Sequence, residues 1–144
     1  MSCMSAEFCD TNIIVYANDS SAGDKRTIAE ELLERLWGSG DGALSIQVLQ
    51  ELFTSVTRKL PTPLSYVEAR AVVSLYSEWQ VFEPTSREVL EAIDYSRRWN
   101  ISFWDAMILV AAHKMGASTL WTEDLNDGQM FNGTVVRNPF RQQR

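Results

Sequence analysis

Two rhythms of apolar and polar positions alternate along this chain. Between Asp24 and Trp37 the apolar residues Ile28, Leu32, Leu33 and Leu36 fall at i, i+4, i+5 and i+8. That spacing puts them on one face of a helix, and "GSGDG" closes the run. Similar patterns predict helices over "NIIVYAND", "QVLQELFTSVTRKL", "SYVEARAVVSLYSEW" and "SREVLEAIDYSRRW". "SFWDAMILVAAHKMG" reads as a strongly apolar helix, with Gly116 as its stop signal. Asp10, Thr11 and Asn12 are each available to cap the first helix, and "PTP" ends the third. The second rhythm is short and continuous. "AEFCD", "ALSI", "QVFEP", "ASTLW" and "GTVVRNP" read as about five short strands, the first ending at Asp10.

Short apolar strands alternating with helices predict a mostly parallel sheet covered on both faces. Right-handed crossovers then give an α/β fold, a three-layer α/β/α sandwich. The sequence shows no internal repeat, low-complexity tract or linker. Its 144 residues suit one domain over 1–144, with an ordered core expected over about 6–138.

Composition narrows the function. The chain is 45% hydrophobic and 22% charged, as in a soluble globular protein. No apolar run reaches the ~18 residues of a bilayer span, so no membrane association is expected. "MSCMSAEFCD" has neither the basic patch nor the long apolar stretch of a signal peptide, so a cytoplasmic location is the expectation. Two cysteines, Cys3 and Cys9, and one histidine, His113, are too few for a Cys/His zinc site or for Ser-His-Asp and Cys-His machinery. Both cysteines are expected to be reduced and structural. No G-x-x-x-x-G-K-[ST] or G-x-G-x-x-G cradle is present. A net charge of −6 argues against a nonspecific duplex binder, but carboxylates gathered around metal ions also count as negative. The basic residues group as Arg58-Lys59, Arg97-Arg98 and Arg137, Arg141 and Arg144, either as solvated ends or as phosphate contacts.

The segment "TLWTEDLNDGQ" makes the acids informative. It crowds Glu123, Asp124 and Asp127 behind an apolar strand, where like charges repel unless something positive lies between them. In a doubly wound sheet the functional crevice lies at the carboxyl ends of the strands. Asp10 follows the first strand, Glu51 lies early in the helix after the second, and Asp124 follows the fourth. Asp105 sits in the first turn of the helix leading into that fourth strand. Each acid has a local explanation: Asp10 as a cap, "SFWD" as a capping box, Glu51 as a helix glutamate, Asp124 as a turn residue. Four separate elements each delivering an acid to one rim is better explained by divalent metal. Mg²⁺ and Mn²⁺ prefer oxygen ligands, and four carboxylates roughly balance two dications.

The stretches "FCDTNIIVYA", "SIQVLQELF", "ISFWDAMILVAA" and "LWTEDLNDGQ" resemble, in order, a PIN domain of the VapC toxin type. The resemblance implies a Mg²⁺- or Mn²⁺-dependent endoribonuclease that hydrolyses RNA, usually forms a homodimer, and is held inactive by a cognate antitoxin protein. It assigns the acidic quartet to Asp10, Glu51, Asp105 and Asp124. Thr11 and Asn12 match the polar residues that follow the first acid and orient it or a metal-bound water. Asp127 matches an additional acid, either a direct ligand or a neighbour of one.

Two other classes compete. A phosphatase or phosphotransferase of the haloacid-dehalogenase kind also places an Asp after its first strand, but it wants a second Asp where this chain has Asn12. A non-catalytic binding module could use the acidic crevice only to hold a partner. Trp104 and Trp121 flank acids, and either pack or stack an unpaired base. Trp37, Trp79 and Trp99 close helical stripes as packing or dimer residues.

Overall fold

The computed structural model describes residues 5–141. Cys3 and Arg144 lie outside the described residues. The elements run β1 (Glu7–Cys9), α1 (Thr11–Ala17), α2 (Asp24–Ser39), β2 (Gly42–Ser45), α3 (Ile46–Arg58), α4 (Tyr66–Tyr76) and β3 (Gln80–Phe82). They continue as α5 (Ser86–Trp99), α6 (Phe103–Lys114), β4 (Thr119–Trp121), β5 (Met130–Phe131) and β6 (Thr134–Arg137), with a final 3-10 turn at Pro139–Arg141. The expected α/β sandwich is present: a six-stranded, mostly parallel sheet flanked by helices.

The sheet order is β3-β2-β1-β4-β6-β5. From β1 the chain moves outward through β2 to β3, and then returns to place β4 on the other side of β1. All of these pairings are parallel. Right-handed crossovers therefore put α1 to α4 on one face and α5 and α6 on the opposite face. The packing agrees, since α1 touches α2 and α3, α3 touches α4, and α5 lies along α6. The order reverses between β1 and β4, which makes their carboxyl ends the switch point of the sheet.

The core is the apolar set that the periodicity picked out. Ile14 of α1, Leu36 of α2, Leu52 of α3 and Leu109 of α6 are fully buried with Phe8, Leu44, Leu120 and Val136 of the strands. α6 buries every residue from Ala106 to Ala112, which explains why it reads as apolar all round. Trp79 and Tyr76 pack edge-on at 5.0 Å, and Trp37 meets Trp79 at 5.4 Å. Trp121 donates its indole N–H to Glu7 Oε1 at 2.9 Å, which ties the central strands β4 and β1, and its ring packs against the core.

The strand count differs from the expectation of about five. The additional strand is β5, which pairs antiparallel with β6 across Asn132-Gly133. Both turn residues have positive φ, 48° and 89°. A two-residue hairpin turn demands that conformation, and Asn-Gly supplies it. The flanking strand is only two residues long, too short for any alternation to register.

Candidate functional site

Asp10 is the single residue between β1 and α1. It caps that helix: Oδ1 accepts the Thr11 N–H at 2.7 Å. Its other oxygen, Oδ2, accepts the Thr122 hydroxyl at 2.8 Å. Thr122 directly follows β4 and is completely buried. Its Oγ1 also accepts the Asp124 N–H at 3.0 Å, and Asn12 Nδ2 lies 3.4 Å away. Asn12 Nδ2 donates to Asp124 Oδ2 at 3.0 Å. The two strand-end acids are thus joined through Thr122 and Asn12 at the switch point.

Glu51 enters from α3. The Thr11 hydroxyl donates to its Oε1 at 2.8 Å, and the Gln47 amide donates to its Oε2 at 3.0 Å. Gln47 Nε2 also reaches the Trp104 carbonyl at 3.2 Å, which ties α3 to the start of α6. There Ser102 caps α6 by accepting the Asp105 N–H at 3.0 Å. α4 and α5 carry full reciprocal capping boxes, Ser65 with Glu68 and Thr85 with Glu88. In α6 no reciprocal bond from the Ser102 N–H to the Asp105 carboxylate occurs among the described residues. The "SFWD" cap is therefore half a box, and the Asp105 carboxylate lines the cavity with the Ser102 hydroxyl beside it.

Asp10, Glu51, Asp105 and Asp124 all line one open cavity of about 500 Å³, together with Thr11, Asn12 and Lys59. Burial is the main cause that pushes the Asp10 carboxyl up to about 7. Hydrogen bonds from Thr122 and Thr11 oppose the rise, and the charges of Asp124 and Glu51 add to it. Asp105 is raised as well, by burial first and then by Asp124 and Glu51, against the Ser102 hydroxyl. Such a site favours a cation that lets both acids ionise. Among the described residues no three His, Cys, Asp or Glu side chains form a ready-made ligand cluster. Like charges repel, and Asp10, Glu51 and Asp124 are each held by neutral donors around the cavity.

Asp127 is placed elsewhere. Its Oδ1 accepts the Asn138 N–H at 2.8 Å, which fastens the loop after β4 to the end of β6, and it is not part of the cavity lining. Glu123 pairs with Lys25 at 2.9 Å and accepts the Tyr16 hydroxyl. Of the three acids in "TEDLND", only Asp124 faces the crevice. Thr122 and Gln47, which orient the acids, were not singled out from sequence. Thr122 could have been suspected as a polar residue at the buried end of an apolar strand, whereas nothing local distinguishes Gln47. His113 is exposed on α6, away from the cavity lining. Cys9 is a free, buried thiol whose burial raises its pKa, as expected of a structural cysteine.

The PIN domain profile matches residues 8–126, most of the chain. The chain belongs to the PIN domain family. No curated protein matches it. Among solved structures this PIN domain is similar to a toxin–antitoxin complex from Klebsiella pneumoniae, at 19% identity and a TM-score of 0.70, covering 93% of this chain and 98% of that one. VapC20 of Mycobacterium tuberculosis, described as a Sarcin-Ricin loop cleaving toxin, matches at 20% identity and a TM-score of 0.64, over 80% and 87% of the two chains. VapBC2 from Rickettsia felis, bound to a DNA fragment from its promoter, matches at 18% and 0.65, over 92% and 98%. At these identities the likeness is one of fold. No helix among the described residues of this PIN domain is long and apolar enough to cross a membrane.

Proposed function

We propose that this PIN domain is a Mg²⁺- or Mn²⁺-dependent endoribonuclease, the toxin of a toxin–antitoxin pair. The observation that carries the reading is the switch point between β1 and β4. Asp10 and Asp124 meet there and share a cavity with Glu51 and Asp105. The donor set suits a hard cation, being carboxylate oxygens with one amide oxygen beside them. That amide oxygen, Asn12 Oδ1, is buried and accepts no hydrogen bond among the described residues. Asp10, Asp105, Asp124 and Glu51 would hold the metal, which supplies an activated water and charge compensation for the phosphate.

The chain's own groups do the rest. Thr122 and the Thr11 N–H keep Asp10 turned to the cavity, Asn12 holds Asp124, and Thr11 with Gln47 holds Glu51. Lys59, at the C-terminus of α3, lines the same cavity and suits a phosphate oxygen of unpaired RNA. The solved toxins of like fold support a cognate antitoxin that covers the crevice, with an arginine or lysine facing the acids. Exposed Leu90 and Ile93 on α5 suit a homodimer surface. Phosphotransfer from Asp10 is disfavoured, because Asn12, at the position of the required acid, is already committed to Asp124.

The test is cleavage of single-stranded RNA by the purified protein. EDTA should stop it and Mn²⁺ should restore it, while Asp10→Asn stays inactive under both conditions. Full activity in chelator would sink the reading, and no cleavage with RNA binding intact would favour a non-catalytic module. Co-expression with the antitoxin should relieve growth inhibition.

A further inference from the structure

Asp105 and Asp124 border not one cavity but two. The second, of about 430 Å³, is closed by the turn between α5 and α6 and by the loop between β4 and β5. Its volume lies within the range of small-ligand sites. Its lining differs in kind from the acidic cavity. Three side-chain amides, Asn100, Asn126 and Gln129, share it with the rings of Trp99 and Phe131, which pack edge to face at 5.0 Å. No lysine or arginine lines it, so it is unsuited to a phosphate or an acidic peptide.

The amides are mounted on braced backbone. The Gln129 N–H donates to the Asn126 carbonyl at 3.1 Å, and the Gln129 carbonyl accepts the Val136 N–H at 2.9 Å. Asn126 Nδ2 donates to Gln129 Oε1 at 3.1 Å. That bond leaves Asn126 Oδ1 as an acceptor and Gln129 Nε2 as a donor, neither engaged among the described residues. An acceptor beside a donor in a cavity walled by aromatic residues matches the hydrogen-bonding edge of a nucleobase.

We propose that this second cavity is a base-recognition subsite, in which Asn126 and Gln129 read one unpaired base of single-stranded RNA. The proposal rests on the nuclease reading for its register. A phosphodiester at Asp105 and Asp124 places a flanking nucleotide in the amide-lined cavity. Asn126 and Gln129 are then specificity residues and take no part in bond breaking.

The experiment uses the full chain carrying Asp10→Asn, and fluorescein-labelled hexaribonucleotides of A, C, U and mixed G/U sequence as probes. Anisotropy should give dissociation constants that differ by about 10-fold between the best and worst sequence. Adding Asn126→Ala and Gln129→Ala should compress that spread to about 2-fold, with the melting temperature showing that the fold is kept. If the double variant does not fold, Gln129→Glu, which replaces the donor offered to the base by an acceptor and keeps the acceptor for Asn126 Nδ2, should reorder the preferences. No spread with the native amides, or a spread that survives these changes, overturns the proposal. So does a double variant that loses only its protein partner, which would assign the cavity to that partner. Cleavage of the same oligonucleotides by the otherwise native protein separates the two readings. Base-selective binding without cleavage sinks the nuclease and leaves the subsite. Cleavage whose sequence preference ignores Asn126 and Gln129 does the reverse.

Discussion

The Thr122 hydroxyl donates to Asp10 Oδ2 at 2.8 Å and accepts the Asp124 N–H at 3.0 Å. One fully buried side chain therefore fixes the acid that follows β1 against the acid that follows β4. Thr122→Val keeps the shape but leaves a partly buried N–H and a buried carboxylate each short of a partner. It should destabilise the protein by about 1–3 kcal/mol. It should also weaken Mn²⁺ binding and cleavage by roughly 10–100-fold, as loss of a ligand-orienting group does. Thr122→Ser should retain most of both. Chemical denaturation beside a cleavage assay checks this, and native-like metal affinity in the valine variant would reduce Thr122 to packing.

The raised Asp10 carboxyl gives a pH dependence of unusual sign. Its folded value is about 7, against 3.8 for an ordinary aspartate. Between those values the folded protein keeps a proton that the unfolded chain has released, so stability falls as pH rises through that window. Glu7, lowered chiefly by its bond to Arg35, works the other way and loses stability on acidification. The clean readout is the difference between the native protein and Asp10→Asn. That difference should decline from pH 4 to pH 7 by an amount on the order of 1–4 kcal/mol. Mn²⁺ should flatten it by favouring the carboxylate. A pH-independent difference without metal would mean that Asp10 ionises freely.

Ser102 and Asp105 separate folding from chemistry within one helix turn. Ser102→Ala removes the cap of α6 and should cost about 1 kcal/mol while leaving cleavage near native. Asp105→Asn keeps its N–H in that cap and removes a charge facing Asp124 and Glu51. Its metal-free stability should hold or rise, and cleavage should fall by orders of magnitude. Thermal melts with and without Mn²⁺ are the measurement. A less stable Asp105→Asn protein that still cuts RNA would return Asp105 to a structural role.

Much of this site was legible in the sequence because strand and helix signals are local. The short run ending at Asp10 and the stripe through Leu52 were enough to set Asp10 and Glu51 on one rim. The sandwich followed from the same alternation. What the pattern could not give was direction. Asp124 and Asp127 are three residues apart in one loop, and only the pairing of that loop with the end of β6 turns Asp127 away from the cavity. The β5 strand went unseen because two residues carry no period. Its Asn132-Gly133 turn was the available signal, and it explains how the loop bearing Asn126 and Gln129 is braced.

The three acids after β4 should accordingly part company under mutation. Glu123→Gln keeps a partner for the Tyr16 hydroxyl and loses only the charge pair with half-exposed Lys25. It should cost no more than about 1 kcal/mol and leave cleavage intact. Asp127→Ala takes an acceptor from the Asn138 N–H and loosens the loop, for about 1 kcal/mol, while Mn²⁺ still restores cleavage after EDTA. Asp124→Asn should keep the fold, since its main-chain N–H still reaches Thr122. It should lose cleavage together with most of the stabilisation that Mn²⁺ confers, which scales as RT ln(1 + [L]/Kd). Melting temperatures across a Mn²⁺ titration rank the three directly. If Asp127→Ala were the variant that lost its response to Mn²⁺, the loop would have to swing from Asn138 into the cavity when metal binds, and Asp127 would join the ligands.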